Sequence, residues 1–385
     1  KSLMIDNSKQ NKKFASYNLV KTMRAGILVL GALLAKFGNA KVSLPGGCAI
    51  GTRPIDIHLK ALSKLGVKFK ITQGYVNAIA PKGLIGSKIR FSKISVGATE
   101  NLIIAACLAK GTTVLSNCAI EPEINDLINF LVKMGCDVKW ISKRKIKING
   151  VKKTNKINYS VMFDRIEEGT YMVAAAITEG NLKIQNITPS IVQTEIKTLK
   201  KIGAKITINK REVHIVGNKH IKNMNIKTAP YPGFPTDLQA QIMVLLCKAN
   251  KKSLIKEDIF ENRFMHVAEL NRMGAQISTI GNKAFIKGNT KFAAAITEGN
   301  LKIKNVIPDI IKTEISILKK IGAKISIKKN EIHIKGNKKI KNINIKTAPY
   351  PGFPTDLQAQ IMVLLCKANK KSTITEDIFE NRFMH

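Results

Sequence analysis

One phrase returns five times along the chain and limits what it can fold into. It reads LSKLG (62–66), LVKMG (131–135), LKKIG (199–203), LNRMG (270–274) and LKKIG (318–322). Each closes an apolar helical pattern with a glycine, where a helix C-terminus favours a left-handed residue. Alternating strand-like runs follow, as in AKITINKREVHIVG (204–217). Upstream, NLIIAACLAKGTTVLSN (101–117), YMVAAAITEGNLKIQN (171–186) and QIMVLLCKANKKSLIKE (241–257) each read as a further helix and a short strand. The unit is therefore helix-strand-helix-strand-strand. Repetition of this kind predicts one supersecondary module used several times, in an α/β (α+β) fold.

The spacing then breaks. The first four of these glycines are roughly 70 residues apart, but the last interval is only about 48. Residues 292–385 also repeat 173–266 at about 80% identity, down to the shared ending DIFENRFMH. The copied helix begins at FAAAITEGN and lacks a preceding DRIEEGTYM. We read Lys291/Phe292 as a recent junction. The domain boundaries expected on this basis are 1–150, 151–291 and a near-copy at 292–385.

At 385 residues the chain is long enough for two domains with full cores. The longest apolar run, Ala25–Ala35, stops at Lys36 and is too short to span a bilayer. No secretory signal is visible, and the chain opens on Lys1 rather than a methionine, which reads as a fragment or a processed product. The six cysteines form no CxxC pair, so a metal or disulfide framework is not expected and a cytoplasmic location fits. Lysine and arginine number 64 against 26 acids, a net charge of +38. One reading is a polyanion-binding protein. The other is coding bias, because the lysines are spread along strands and loops rather than gathered in one arm. The second reading is preferred, with no specific nucleic acid and no membrane as partner.

Four stretches could carry chemistry. In LPGGCAIGTRPIDIH (44–58), Cys48 follows a Pro-Gly-Gly loop that leaves a short strand. The next helix is expected to start near Pro54, with Asp56 in its first turn. A helix N-terminus beside Arg53 suits an anion such as phosphate, and lowers the pKa of a nearby thiol. A half-buried structural cysteine with a helix-capping aspartate would look the same. In GFPTDLQAQIMVLL (233–246), Thr236 and Gln239 have the spacing of a capping box. Asp237 is then the first helical residue, where the dipole favours a charged carboxylate suited to a general base. Helix-start acids of this kind are common without any such role. In SKISVGATENL (92–102), Lys93 precedes a small-residue turn that opens a helix and could hold a diphosphate. In KTMRAGILVL (21–30), Arg24 at a helix start could clamp a phosphate, or be a surface charge.

Taken in order, LVKTMRAGILVLGALLAKFG, LPGGCAIGTRPIDIH, SVGAT, FPTDLQAQ and FENRFMH resemble the enolpyruvyl transferases that commit UDP-N-acetylglucosamine to peptidoglycan synthesis. The resemblance runs through residues 14–290. It implies an inverted α/β barrel of repeated modules in two domains, incomplete here. It implies transfer of the enolpyruvyl group of phosphoenolpyruvate to the sugar 3′-hydroxyl with release of phosphate. Cys48 matches the general acid of the family's mobile loop, the thiol alkylated by fosfomycin. Asp237 matches the carboxylate at the sugar hydroxyl. Arg53 matches a phosphoenolpyruvate-phosphate contact, and Arg53, Pro54, Ile55, Asp56 and Ile57 match a segment lining the UDP site. Lys93, Ile94, Ser95 and Val96 match a second UDP segment, and Arg24 and Ile259 match single nucleotide-sugar contacts. No metal or organic cofactor is implied. The shikimate-pathway relative shares the fold, but the cysteine loop argues against it.

The sequence also departs from that family. A further N-terminal stretch, with a Lys-Asn pair at the phosphoenolpyruvate site, is not seen. The last module's Asp-Leu-Arg segment is replaced by the copy of 173–266. Asp356 repeats Asp237 without a second cysteine loop, so the copy is expected to have no catalytic role. The alternatives are a catalytically dead remnant of the enzyme and the basic, polyanion-binding protein.

Overall fold

The computed structural model describes residues 3–6, 11–20, 24–44, 55–290, 300–304, 306–337, 339–349, 351–354, 357–365 and 368–376. Contacts divide the chain into two compact units: Lys1–Met162 with Pro230–Pro232, and Phe163–Ala229 with Gly233–His385.

The first unit begins with β1 (Phe14–Ala15) and α1 (Tyr17–Val20). A 3-10 turn, Arg24–Ile27, leads into α2 (Leu28–Phe37), β2 (Asn39–Ser43), α3 (Asp56–Ser63), β3 (Lys68–Thr72) and β4 (Tyr75–Ile79). The order then repeats as β5 (Lys88–Arg90), α4 (Val96–Ala106), β6 (Thr112–Ser116), α5 (Pro122–Lys133), β7 (Asp137–Ser142) and β8 (Lys145–Asn149). The extended stretch after β8 stays on this unit, where the Tyr159 hydroxyl donates to Asp126 Oδ1 at 2.8 Å.

In the second unit the first module is α6 (Arg165–Ile177), β9 (Asn181–Gln185), a 3-10 turn Pro189–Val192, α7 (Gln193–Ile202), β10 (Lys205–Asn209) and β11 (Glu212–Val216). The next is β12 (Asn225–Lys227), a 3-10 turn Thr236–Leu238, α8 (Gln239–Cys247), β13 (Ser253–Lys256), α9 (His266–Arg272), β14 (Gln276–Ile280) and β15 (Lys283–Lys287). The copied stretch follows with β16 (Asn300–Lys304), a 3-10 turn Pro308–Ile311, α10 (Lys312–Lys320), β17 (Lys324–Lys328), β18 (Glu331–Lys335), β19 (Asn344–Lys346), α11 (Gln358–Leu365) and β20 (Thr373–Thr375).

The repeat therefore holds, with one addition. Three sheets share a single order, β1-β2-β4-β3, β5-β6-β8-β7 and β12-β13-β15-β14. Their first strands pair parallel to the next, and the others are antiparallel. Those parallel strands are only two or three residues long, too short for alternation to mark them in the sequence. The recurring glycines end helices as anticipated. Gly66, Gly135, Gly203, Gly274 and Gly322 all have positive φ, between 91° and 122°, where a side chain would be strained.

Each core follows from the pattern. On α7, Ile196, Leu199 and Ile202 are buried three residues apart while Lys197 and Lys200 are exposed. On β11, Val213 and Ile215 alternate inward. Burying one such aliphatic side chain contributes roughly 1.5–3 kcal/mol. The copied stretch has its own cluster around Ile321, Ile332, Ile340 and Phe353.

The copy is less well covered than its original. In the original, α6 packs on α7, and Arg165 at its start faces Glu195 at 3.9 Å, both buried. The position matching Arg165 is Ala284, which is committed to β15. Glu314, the counterpart of Glu195, is correspondingly only half-buried, and Val306, Pro308 and Ile311 are half-buried where their counterparts Ile187, Pro189 and Val192 are buried. The junction at 291/292 and the copied helix start lie outside the described residues.

Candidate functional site

In the first unit, three of the stretches singled out from the sequence are helix beginnings. Arg24 opens the 3-10 turn before α2, and Asp56 is the first residue of α3 with Ile55 at its N-cap. Ser95 caps α4, its hydroxyl accepting the Ala98 N–H at 3.3 Å. Thr99 braces the same turn, donating to the Ser95 carbonyl at 2.8 Å and accepting the Ala119 N–H at 3.1 Å. Ile55, Ile57, Ile94 and Val96 are half-buried against the core of the unit. Lys93 is exposed. Asp56 pairs with Lys60 at 3.5 Å, one turn along α3.

One buried side chain joins these beginnings. Asn101 on α4 is fully buried. Its amide donates to the Ile27 carbonyl and to His58 Nδ1, both at 3.1 Å. Its carbonyl accepts the Gly31 N–H at 2.9 Å. A Cβ at Gly31 would lie 2.2 Å from Asn101 Oδ1, so α2 approaches α4 this closely only with glycine there. His58 is buried, and burial pulls its pKa down to about 4 against the opposing pull of Asp56. The neutral ring accepts at Nδ1 and carries its proton on Nε2. It lies against Gly97, beside the Ser95 cap.

In the second unit, Thr236, next to Asp237, and Ile259 are joined by Glu257, a carboxylate only 2% exposed. Glu257 Oε2 accepts the Thr236 hydroxyl at 2.9 Å. Its Oε1 accepts the N–H groups of Ile259 and Phe260 at 2.8 and 3.1 Å. The expected capping box is not formed. Thr236 spends its hydroxyl on Glu257, and a 3-10 turn precedes α8, so Asp237 is the second residue of that turn rather than the first of the helix. Gln239 is fully buried, and neither end of its amide has a hydrogen-bond partner. Asp237 Oδ1 lies 2.7 Å from Arg263 Nη2, with the carboxylate half-exposed and the guanidinium mostly buried. Arg263 also sits over the Phe260 ring, and its Nη1 is buried without a hydrogen-bond partner.

Cys48, Arg53 and Pro54 lie outside the described residues, as do Asp356 and the side chain of Arg24. The described cysteines are all free and buried. Burial pushes Cys118 and Cys247 up to about 12 and raises Cys107 and Cys136, which hydrogen-bond to each other. Such thiols are poor nucleophiles. Among the described residues, no group of three His, Cys, Asp or Glu side chains could hold a metal ion, and no helix is long and apolar enough to cross a membrane.

Reasoning from sequence missed Asn101, His58, Glu257 and Arg263. Asn101 carries a faint signal, a lone amide in the apolar run NLIIAAC. Arg263 stands inside FENRFMH, and Glu257 two residues before Ile259. Nothing local distinguishes these from surface polar residues.

A repeated α/β module in two units is a fold also found in solved structures. The enolpyruvyl transferase NikO from Streptomyces tendae superposes with a TM-score of 0.68 at 16% identity, over 96% of this chain and 74% of that one. EPSP synthase from Acinetobacter baumannii gives 0.51 at 21%, over 70% of this chain and 64% of that one. The family model described as EPSP synthase (3-phosphoshikimate 1-carboxyvinyltransferase) matches residues 1–292 and again 290–385. The UDP-N-acetylglucosamine 1-carboxyvinyltransferase of Pelagibacter ubique is 73% identical over 295 residues, 77% of this chain and 71% of that protein. The protein of the same name from Geotalea uraniireducens is 51% identical over 291 residues, 76% of this chain and 70% of that protein. The chain belongs to the enolpyruvyl transferase family.

Proposed function

We propose that this chain is built to transfer the enolpyruvyl group of phosphoenolpyruvate to the 3′-hydroxyl of UDP-N-acetylglucosamine, releasing phosphate. The observation that carries the reading is the 73% identity to a protein of that name. The clustering of matching residues within each unit supports it. In the first unit Asn101 on α4 bonds to Ile27, in the turn that Arg24 opens, and to His58, next to Ile57; in the second Glu257 bonds to Thr236, next to Asp237, and to Ile259.

In this reading the nucleotide sugar lies along Arg24, Arg53, Pro54, Ile55, Asp56, Ile57, Lys93, Ile94, Ser95, Val96 and Ile259. The α4 N-terminus and Lys93 offer N–H groups and a cation to a diphosphate. Cys48 gives its proton to the methylene carbon of phosphoenolpyruvate, making the adjacent carbon electrophilic. The sugar 3′-oxygen bonds to that carbon as Asp237 takes the hydroxyl proton. The Cys48 thiolate then takes a proton back from the new methyl group, restoring the double bond as the carbon–oxygen bond to phosphate breaks, and the phosphate carries away the proton that Asp237 took. Arg53 balances the charge of the departing phosphate. The chemistry needs no redox partner. The buried free thiols suit a reducing compartment, and the reading places the reaction in the cytoplasm, as a step of cell-wall synthesis open to inhibition by fosfomycin at Cys48.

The test is phosphate release from phosphoenolpyruvate by the 385-residue chain, with and without UDP-N-acetylglucosamine. Release that depends on the nucleotide sugar and disappears in Cys48→Ala supports the reading. A folded chain that binds UDP-N-acetylglucosamine but releases no phosphate is a catalytically dead relative, and one that binds neither substrate removes the proposal.

A further inference from the structure

We infer that Asn101 is the positioning residue of the nucleotide-sugar site, the side chain that holds the Arg24 turn, the start of α3 and the start of α4 in one arrangement. The inference rests on reading those three segments as that site.

The segments are far apart in sequence, and each is a helix beginning, where backbone groups lack helical partners. Asn101 bonds to one group of each neighbouring segment: the Ile27 carbonyl at the end of the Arg24 turn and the His58 ring on α3. It is itself part of α4, six residues beyond the Ser95 cap. Its third bond, from Gly31, is equally telling. Ile27 and Gly31 are the i−4 and i partners of an α-helix, and both turn to the same amide. A primary amide is the side-chain group that can donate twice and accept once in this geometry. The site is fully buried, so water cannot replace a lost bond, and each stranded group costs more than the bond contributed. Asn101 bonds to none of the residues assigned to the nucleotide sugar, only to Ile27, Gly31 and His58. Its effect is on where they sit.

Asn101→Asp separates this role from simple packing. It keeps the volume and the acceptor for Gly31 but loses both donors. A carboxylate against His58 Nδ1 also draws a proton onto the ring, so the Nε2–H tautomer is replaced by imidazolium near neutral pH. The experiment uses the full chain, with Asn101→Ser as a milder second variant should the first not fold. Three readouts are compared: amide hydrogen exchange, the His58 ring by nitrogen NMR, and the dissociation constant for UDP-N-acetylglucosamine. Expected are at least tenfold faster exchange in 24–31, 55–60 and 95–98 together, an unchanged rate in 102–106 and the second unit, and at least tenfold weaker binding. Loosening confined to α4, or unchanged affinity beside three loosened segments, overturns the inference. If the parent chain itself binds no UDP-N-acetylglucosamine, the nucleotide assignment fails, and the exchange pattern still decides whether Asn101 ties the segments.

Discussion

Asp237 Oδ1 and Arg263 Nη2 are 2.7 Å apart, a half-exposed carboxylate held by a mostly buried guanidinium. The arrangement points the carboxylate outward and leaves its second oxygen available. Asparagine keeps an oxygen that can accept the Arg263 N–H, so the contact outlasts the loss of the charge. Asp237→Asn should therefore shift the melting temperature by only a few degrees, while UDP-N-acetylglucosamine-dependent phosphate release falls on the order of 100-fold, in the range for removing a general base. Equal loss of folding and activity would show that Asp237 acts through structure.

Glu257 is a different kind of residue, because both its oxygens are used inside the protein. Glu257→Gln places an amide NH2 where one of three donors now points. Hydrogen bonds to a charged group are worth about 1.5–3 kcal/mol, and a loss of about 2–3 kcal/mol is expected in urea denaturation. The KM for UDP-N-acetylglucosamine should rise, since Ile259 is released; the KM for phosphoenolpyruvate should change less.

His58 makes stability depend on pH. Its folded pKa of about 4 lies below the ordinary 6.5, so the unfolded chain takes up a proton first as pH falls. The contribution is fully present above pH 6.5 and is lost progressively down to pH 4. The shift corresponds to about 3 kcal/mol. Denaturation midpoints at pH 7 and pH 5 should differ more in the parent chain than in His58→Gln, and equal differences would remove His58 as the cause.

Thiol reactivity should be confined. Buried thiols held near pKa 12 do not ionise at neutral pH, which covers Cys118 and Cys247, and burial raises Cys107 and Cys136 as well. Brief iodoacetamide treatment of the folded chain, followed by peptide mass mapping, should label Cys48 and spare these four. Labelling of any of the four at a comparable rate would contradict the burial described.

The two near-identical stretches offer an internal comparison. Their side chains match at about 80% of positions, so intrinsic exchange rates are nearly equal. Residues 308–320 lack the Arg165 counterpart and the cover it brings to 189–201. Amide exchange in 308–320 should be at least tenfold faster than in 189–201, a local opening that differs by about 1.4 kcal/mol. Equal protection would mean the copy has found another covering surface.

The module order was legible in the sequence because it rests on short-range rules. Apolar residues at helical and alternating spacings choose the element, and glycine at positive φ ends it, as Gly66, Gly135 and Gly203 do. The Ser95 cap follows from the same local chemistry. The copy at 292–385 needed only the text of the chain. Where the residues of each cluster meet was decided by tertiary structure. Thr236 and Gln239 have the spacing of a capping box, yet Thr236 bonds to Glu257, 21 residues away. Asn101 and Gly31 are 70 residues apart, and nothing near either announces the other. A buried polar side chain is satisfied by whichever groups packing brings within 3 Å, and that choice depends on the path of the whole chain rather than on its neighbours in sequence.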